Sequence, residues 1–392
     1  MNSPGYILSP ELLTFRDFTR EPPGVWLWPG GMEPFARITG SMHSLLAGNR
    51  PGIAGLDVCR IETLRRLGIL LDADALDAHT DRVATAHGLV ADQCPAEAAV
   101  EFRRARLATP ALTTTWLAEA FTLLRIGAGR EGCALLEQYL ARWPGDPAAT
   151  ALLTAHQDGA PSGDQRGRVM VLAPSATLAR ELALRADECV ERIRALCGYP
   201  PYPTLLVRVT ESAEAGGRCL RGGSPFARLI ELSARGVEDS ILLAHELVHA
   251  ILSTGNLTFT EGLALHVSAR LGAPWDDAGP GSLEWLAAAS QVDTELERLF
   301  LDIDTQVEAF DRTRHDCPRA PGTMPRVHWL AFIGTTALVA RVGLVAFMNY
   351  LQWLRDPTPA PALAAQEQLF QLHFGRSLRA ALRSTDARPS AP

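Results

Sequence analysis

The chain has no surplus of basic charge, no Cys-x-x-Cys pair and no unbroken apolar run long enough to cross a bilayer. Lys and Arg number 37 against 44 Asp and Glu, leaving a formal net charge of −7 and a pI near 5.8. That balance excludes the basic surface through which proteins hold nucleic acid. The seven cysteines (Cys59, Cys94, Cys133, Cys189, Cys197, Cys219, Cys317) are odd in number and scattered. They fit reduced thiols filling small core sites, not a disulfide framework or a zinc ribbon. The most apolar region, Trp329 to Leu354, is interrupted by Arg341, Gly343 and Asn349, so it reads as buried core helices and no membrane partner is expected. The start, Met1-Asn2-Ser3-Pro4-Gly5-Tyr6, lacks a basic segment followed by an apolar one, and a cytoplasmic location is expected. The glycines between 216 and 223 follow neither the G-x-x-x-x-G-K-S/T nor the G-x-G-x-x-G spacing, which excludes a phosphate cradle there. What is left is the composition of an ordinary globular protein, 47% hydrophobic and 21% charged, in 392 residues that allow about two or three domains.

Against that background one stretch carries chemistry: Ala244-His245-Glu246-Leu247-Val248-His249-Ala250. Residues four apart share a helix face, so His245 and His249 can aim at one point, with Glu246 about 100° round and bordering it. The flanking Ile241, Leu242, Leu243, Leu247, Val248, Ile251 and Leu252 make the predicted helix, about 237 to 253, apolar almost all round and therefore buried. Buried imidazoles and a buried carboxylate need partners, and a metal supplies them. A catalytic zinc site takes three protein ligands. The next candidate is Glu261, in Thr258-Phe259-Thr260-Glu261-Gly262-Leu263-Ala264, which opens a second helix beyond Ser253-Thr254-Gly255-Asn256.

Residues 1 to about 70 carry turns, Pro22-Pro23-Gly24 and Pro29-Gly30-Gly31, around Trp26, Trp28 and Phe35. Ser9-Pro10-Glu11 has the form of a helix start. The aromatics suit core packing better than a peptide groove. From 79 to 146 two segments superpose at a period of 34: Ala98, Phe102, Ala105 and Pro110 fall on Gly132, Leu136, Tyr139 and Pro144. This resembles a pair of tetratricopeptide repeats, with Gly127 turning between the second unit's helices. Two units are fewer than a stable stack needs, so the N-terminal block and Ala148 to His156 are expected to add flanking helices. Peptide capture by the array and a purely supporting role both remain open. Residues 157–167, polar and glycine-rich, are expected to form a linker.

Beyond it the pattern changes to strands at Val169–Leu172, Leu205–Val209 and Leu229–Leu232, with an amphipathic helix from Leu178 to Leu196. Such an order, followed by His245-Glu246-Leu247-Val248-His249 and Thr260-Glu261-Gly262-Leu263-Ala264, resembles the gluzincin branch of zinc metallopeptidases, in particular the peptidase MA-like families. The likeness spans about 168 to 380, with weaker matches at Leu338–Gly343 and Leu369–Leu378. It implies an α+β, mainly helical protein: an N-terminal helical domain (1–156), the linker, a catalytic domain (168–385) and a tail (386–392). The resemblance also implies that Leu229 to Ser233 form a sheet edge on which an extended peptide lies. It further implies that zinc sits on His245, His249 and Glu261, that Glu246 is the general base, and that His328, at the head of a helix from Val327 to Arg341, steadies the oxyanion.

His266 stands five residues after Glu261, about 140° past the same face. Glu261 is therefore taken as the ligand, with His266 in a supporting position. The region 271–326 is read as holding an acidic helix, Glu284 to Arg312, in which Asp302 and Asp304 lie on a solvated face. Two histidines and a carboxylate also suit ferrous iron, so an iron-dependent peptide-modifying enzyme, such as a hydroxylase, is an alternative to a zinc peptidase. A third is a repeat-based binding protein, which would have no use for Glu246. The partner expected in the first two cases is a peptide or protein.

Overall fold

A computed structural model describes residues 70–110, 112–158, 162–197, 204–210, 217–222, 224–234, 236–252, 256–272, 298–300, 326–352 and 363–383, together with strands at 6–8, 13–17, 24–28 and 36–38. The described residues are mainly helical around a small mixed sheet.

The N-terminal segments differ from expectation. β1 (Tyr6–Leu8) pairs antiparallel with β5 (Leu70–Asp72), and β2 (Leu13–Asp17), β3 (Gly24–Trp28) and β4 (Ala36–Ile38) form an antiparallel meander. Residues 9–12, where a helix was expected to begin, lie outside the described residues, and a strand follows them directly. The physical reason is composition: Leu13-Thr14-Phe15 and Val25-Trp26-Leu27-Trp28 are rich in the branched and aromatic residues that suit a pleated surface. Among its described residues this block supplies strands.

Five helices follow, each packed on the next: α1 (Ala73–Ala91), α2 (Pro95–Ala108), α3 (Thr114–Arg125), α4 (Gly129–Arg142) and α5 (Pro147–Gln157). Asp72 and Asp146 cap α1 and α5, accepting from the backbone N–H of Ala75 and Ala149. The positions aligned at the 34-residue period are buried in both units: Ala98, Phe102 and Ala105 in α2, and Gly132, Leu136 and Tyr139 in α4. A side chain at Gly132 would meet Leu124 at 2.8 Å, so the small residue lets α3 and α4 approach closely. Gly127, with φ +82°, makes the turn between them.

The expected linker is largely structured. Within 157–167, β6 (Ser162–Arg166) forms the edge of a five-stranded sheet with β7 (Val169–Ala173), β8 (Thr204–Thr210), β9 (Gly217–Gly222) and β10 (Ser224–Ser233), in the order β6-β7-β8-β10-β9. Glycine is needed there for closeness: a Cβ at Gly163 would sit 3.0 Å from the Phe121 ring. Asp164 is tied back to Arg125 at 2.9 Å. β7, β8 and β10 run parallel, with α6 (Ala176–Cys197) crossing over between β7 and β8, while β6 and β9 are antiparallel to their neighbours.

Alternation along the strands gives the sheet two dry faces. Val171, Val207, Ile230 and Leu232 join α6 and the helices that follow β10 in one core. Met170, Leu172, Leu206 and Leu229 join Phe121, Leu136 and Leu152 of the helical block in another. The two halves of the chain are thus clamped to opposite sides of one sheet. The rest is helical: α7 (Ser240–Leu252), α8 (Leu257–Arg270), α9 (Arg326–Val342), α10 (Leu344–Gln352), α11 (Leu363–Phe374) and α12 (Leu378–Arg383). Phe259 stacks edge-on with Phe300, Phe347 and Tyr350, which join α8 to α10. The expected acidic helix lies outside the described residues apart from 298–300, as do Asp302 and Asp304. No helix among the described residues is long and apolar enough to cross a membrane. The described cysteines, Cys94, Cys133, Cys189, Cys197 and Cys219, are free thiols.

Candidate metal centre

Asp239 starts α7 by accepting hydrogen bonds from the backbone N–H groups of Ile241 (2.9 Å) and Leu242 (3.2 Å). Every residue from Leu242 to Leu252 is then buried, because one side of the helix packs on the sheet and the other on α8. His245, Glu246 and His249 are the polar residues in that run, at 5%, 5% and 8% exposure. Their position is therefore fixed by apolar packing on both sides of them.

Asn256 starts α8 with its side-chain oxygen accepting from Phe259 N–H, and its amide donates to Gln366 of α11 at 2.8 Å. This cap sets the first turn of α8, which carries Glu261 toward the two imidazoles. The Glu261 carboxylate lies 3.5 Å from His245 Nε2 and 3.3 Å from His249 Nε2. The two Nε2 atoms are 2.9 Å apart. Ligands at about 2.0–2.1 Å from a tetrahedral zinc are themselves roughly 3.3 Å apart, so these spacings match a closed ligand set.

The contents of the cluster fit a cation as well as its spacing does. Burial works against ionisation of Glu261, but the adjacent His249 and His245 more than offset it and hold the carboxyl well below its ordinary range. Two imidazole nitrogens facing each other at hydrogen-bond distance, with a carboxylate alongside, form a donor set that a divalent ion would satisfy. Among the described residues this is the group of histidines, cysteines and acids that could hold a metal ion.

Glu246 sits beside the cluster, facing the sheet edge. Burial pushes its carboxyl up to about 7, with His245 pulling it down and Glu261 adding to the rise. A group with that pKa can both take and return a proton near neutrality. Its neighbour is Gly217 on β9, where a Cβ would lie 2.8 Å from Glu246 Cγ and 2.9 Å from Leu232. The glycine is what lets the strand backbone lie against the carboxylate. Sequence reasoning missed this strand: its Arg218-Cys219-Leu220 run is flanked by glycines and reads as a loop. The expected edge at Leu229–Ser233 is accordingly corrected, since β10 is paired with β8 on one side and β9 on the other, and among the described residues β9 is the terminal strand on that side of the sheet.

His328 enters on α9. A Cβ at Gly262 would stand 2.3 Å from Ala331 O and 2.2 Å from Thr335 Oγ1, so α8 and α9 touch backbone to backbone at that point. The crossing brings His328, one turn before Ala331, to 3.7 Å from Glu261 through its Nε2. His266 stays outside the cluster, its Nδ1 held 3.0 Å from Thr336 Oγ1, and burial lowers its pKa to about 4.

No protein-family model matches the chain, and no curated protein matches it. Two solved structures are similar over 57% of this chain: crystal structures of a point mutant of an M1 zinc metallopeptidase from Deinococcus radiodurans, alone and bound to a Tyr-Ser-Ala substrate. Identity is 16% and 18%, with TM-scores of 0.28 and 0.27, a likeness too distant to bear on fold or activity. The aligned part of this chain corresponds to 49% and 48% of those chains, about half their length.

Proposed function

We propose that this protein is a zinc-dependent peptidase that hydrolyses bonds in extended peptide substrates. The observation that carries the reading is the convergence of His245, His249 and Glu261 on one point, with buried Glu246 directly beside them and facing the sheet edge. The metal would be held by His245 Nε2, His249 Nε2 and a Glu261 oxygen. When bound, zinc supplies a Lewis acid for a carbonyl and a water acidified toward neutral pH.

The residues have separate tasks. The substrate backbone adds to β9 as a further strand, which brings it past Gly217 and within reach of Glu246. Glu246 accepts the water's proton as the carbonyl is attacked and returns it to the departing amine, so it acts as base and then as acid. His328, whose Nε2 lies 3.7 Å from Glu261, donates an N–H toward the oxygen that becomes negative. Glu246 also favours a catalytic centre over a site that only binds, since a binding site has no use for a buried proton carrier beside the metal. The tetratricopeptide-like reading gives α1–α4 a part in peptide capture. The core that α3, α4 and α5 share with the sheet favours the bracing role instead.

The test combines metal analysis of anaerobically purified protein with cleavage of a peptide pool read by mass spectrometry. The expected result is about one zinc per chain and cleavage that a chelator stops. Glu246→Gln should keep the zinc and lose about 10²–10⁴-fold in rate. Cleavage at the wild-type rate in Glu246→Gln would refute the assignment, and oxygen-dependent mass gain with ferrous iron would replace hydrolysis with hydroxylation.

A further inference from the structure

We propose that β9 carries an anionic subsite, in which Arg218 selects a carboxylate side chain on the substrate residue next to the one lying beside Glu246. This rests on the peptidase reading for the placement of the substrate.

The starting point is a row of three charges across three strands: Arg208 on β8, Glu231 on β10 and Arg218 on β9 are register neighbours. Glu231 is 5% exposed, and its two oxygens are divided between the arginines, Oε1 to Arg208 and Oε2 to Arg218 at 2.5 Å. A buried carboxylate needs one cation to compensate it. Here it has two, and the row keeps a net positive charge. The surplus is displayed at the edge, because the Arg218 side chain is 68% exposed against 29% for Arg208. Arg218 reaches Glu231 through Nε and Nη2. A guanidinium has five N–H donors in a planar fork, so capacity remains for a second carboxylate.

Alternation along β9 fixes which substrate residue would meet it. Gly217 and Cys219 face the side of Glu246 and the core around α7, while Arg218 and Leu220 face the side of the helical block, where α5 lies against β9 and β10. A peptide added to the edge alternates in the same way. If one residue lies beside Gly217 and Glu246, its sequence neighbour lies beside Arg218. Opposite charges on neighbouring strands attract, and an acidic side chain at that position gains a charge-assisted bond that a neutral one lacks.

The experiment uses the full-length zinc-loaded protein and a quenched-fluorescence peptide set carrying Glu, Gln or Arg at each position around the cleaved bond. Wild type is expected to favour Glu over Gln by about fivefold at one position only, and less at high salt. Arg218→Ala should erase that preference, and Arg218→Glu should invert it toward Arg, each read as the ratio of rates within one variant's peptide set. Arg208 continues to compensate Glu231 in Arg218→Ala, and thermal melts verify that both variants fold. In a second arm, anisotropy measures binding of the same peptides to the Glu246→Gln protein. Acidic preference in binding without any cleavage by wild type would keep the subsite and remove the peptidase reading. Equal handling of Glu and Gln by wild type in both arms, or a preference that survives both substitutions, would overturn the proposal.

Discussion

Buried polarity is handled in opposite ways on the two sides of the central sheet. On the side of the helical block, charges are buried in opposite pairs: Arg106 with Glu119 at 2.5 Å, Arg125 with Asp164 at 2.9 Å, and Glu231 between Arg208 and Arg218. On the side of α7, two imidazoles are buried with their Nε2 atoms 2.9 Å apart, next to a carboxylate. The first arrangement meets each buried carboxylate with a cation, and its surplus stands at the edge on Arg218. The second gathers two facing nitrogens and a carboxylate around one point, the donor set to which we assign a cation.

The comparison can be broken from either side. His249→Ala should take bound zinc from about one per chain to none and activity to background, a loss on the order of 10³-fold or more, with the melting of the metal-free protein little changed. Titration with zinc followed by a cleavage assay checks both halves of that statement. Phe121→Ala acts on the opposite face, where the ring is buried between α3 and β6. It should cost about 3–5 kcal/mol in denaturant unfolding while zinc stoichiometry in the folded fraction is kept.

The metal-free protein offers a third test through pH. Glu246 has a pKa near 7 when folded against an ordinary 4.5, so between those values the folded state keeps a proton that the unfolded chain has released. Stability therefore falls as pH rises from about 4.5 to 7, by on the order of 3 kcal/mol, and is flat above. Glu246→Gln should remove that slope in unfolding curves measured across the window. Last, Gly217→Ala should push Glu246 aside and lower kcat by roughly 10–100-fold with KM and zinc content retained. A change in KM alone would show that the glycine serves substrate binding instead.

Helix α7 was the most legible part of the sequence, because two local signals coincide in it: an apolar surround that demands burial, and a His-Glu-x-x-His spacing that burial cannot tolerate without a partner. Glu261 was legible for the same reason, as the nearest carboxylate at a helix start. Gly262 was visible, yet its purpose depends on Ala331 and Thr335 of a helix far along the chain, and no local pattern carries that. β9 was hidden because the glycine that lets it approach Glu246 also makes it look like a loop. The stretch 157–167 misled in a similar way, since Gly163 is small to make room for Phe121, whereas composition alone suggests a flexible joint. The first strands were missed because proline and glycine turns outweigh short runs such as Val25-Trp26-Leu27-Trp28.

The two-sided sheet also has a consequence for how the protein is made. Synthesis runs from the N-terminus, so α3, α4 and α5 leave the ribosome before the strands that cover them. Phe121, Leu136 and Leu152 reach their full set of partners only when Leu206 and then Leu229 have been added. Until that moment the helical block presents an oily flank to its surroundings, and the nascent chain is at its most vulnerable to chaperones, proteases and its own neighbours.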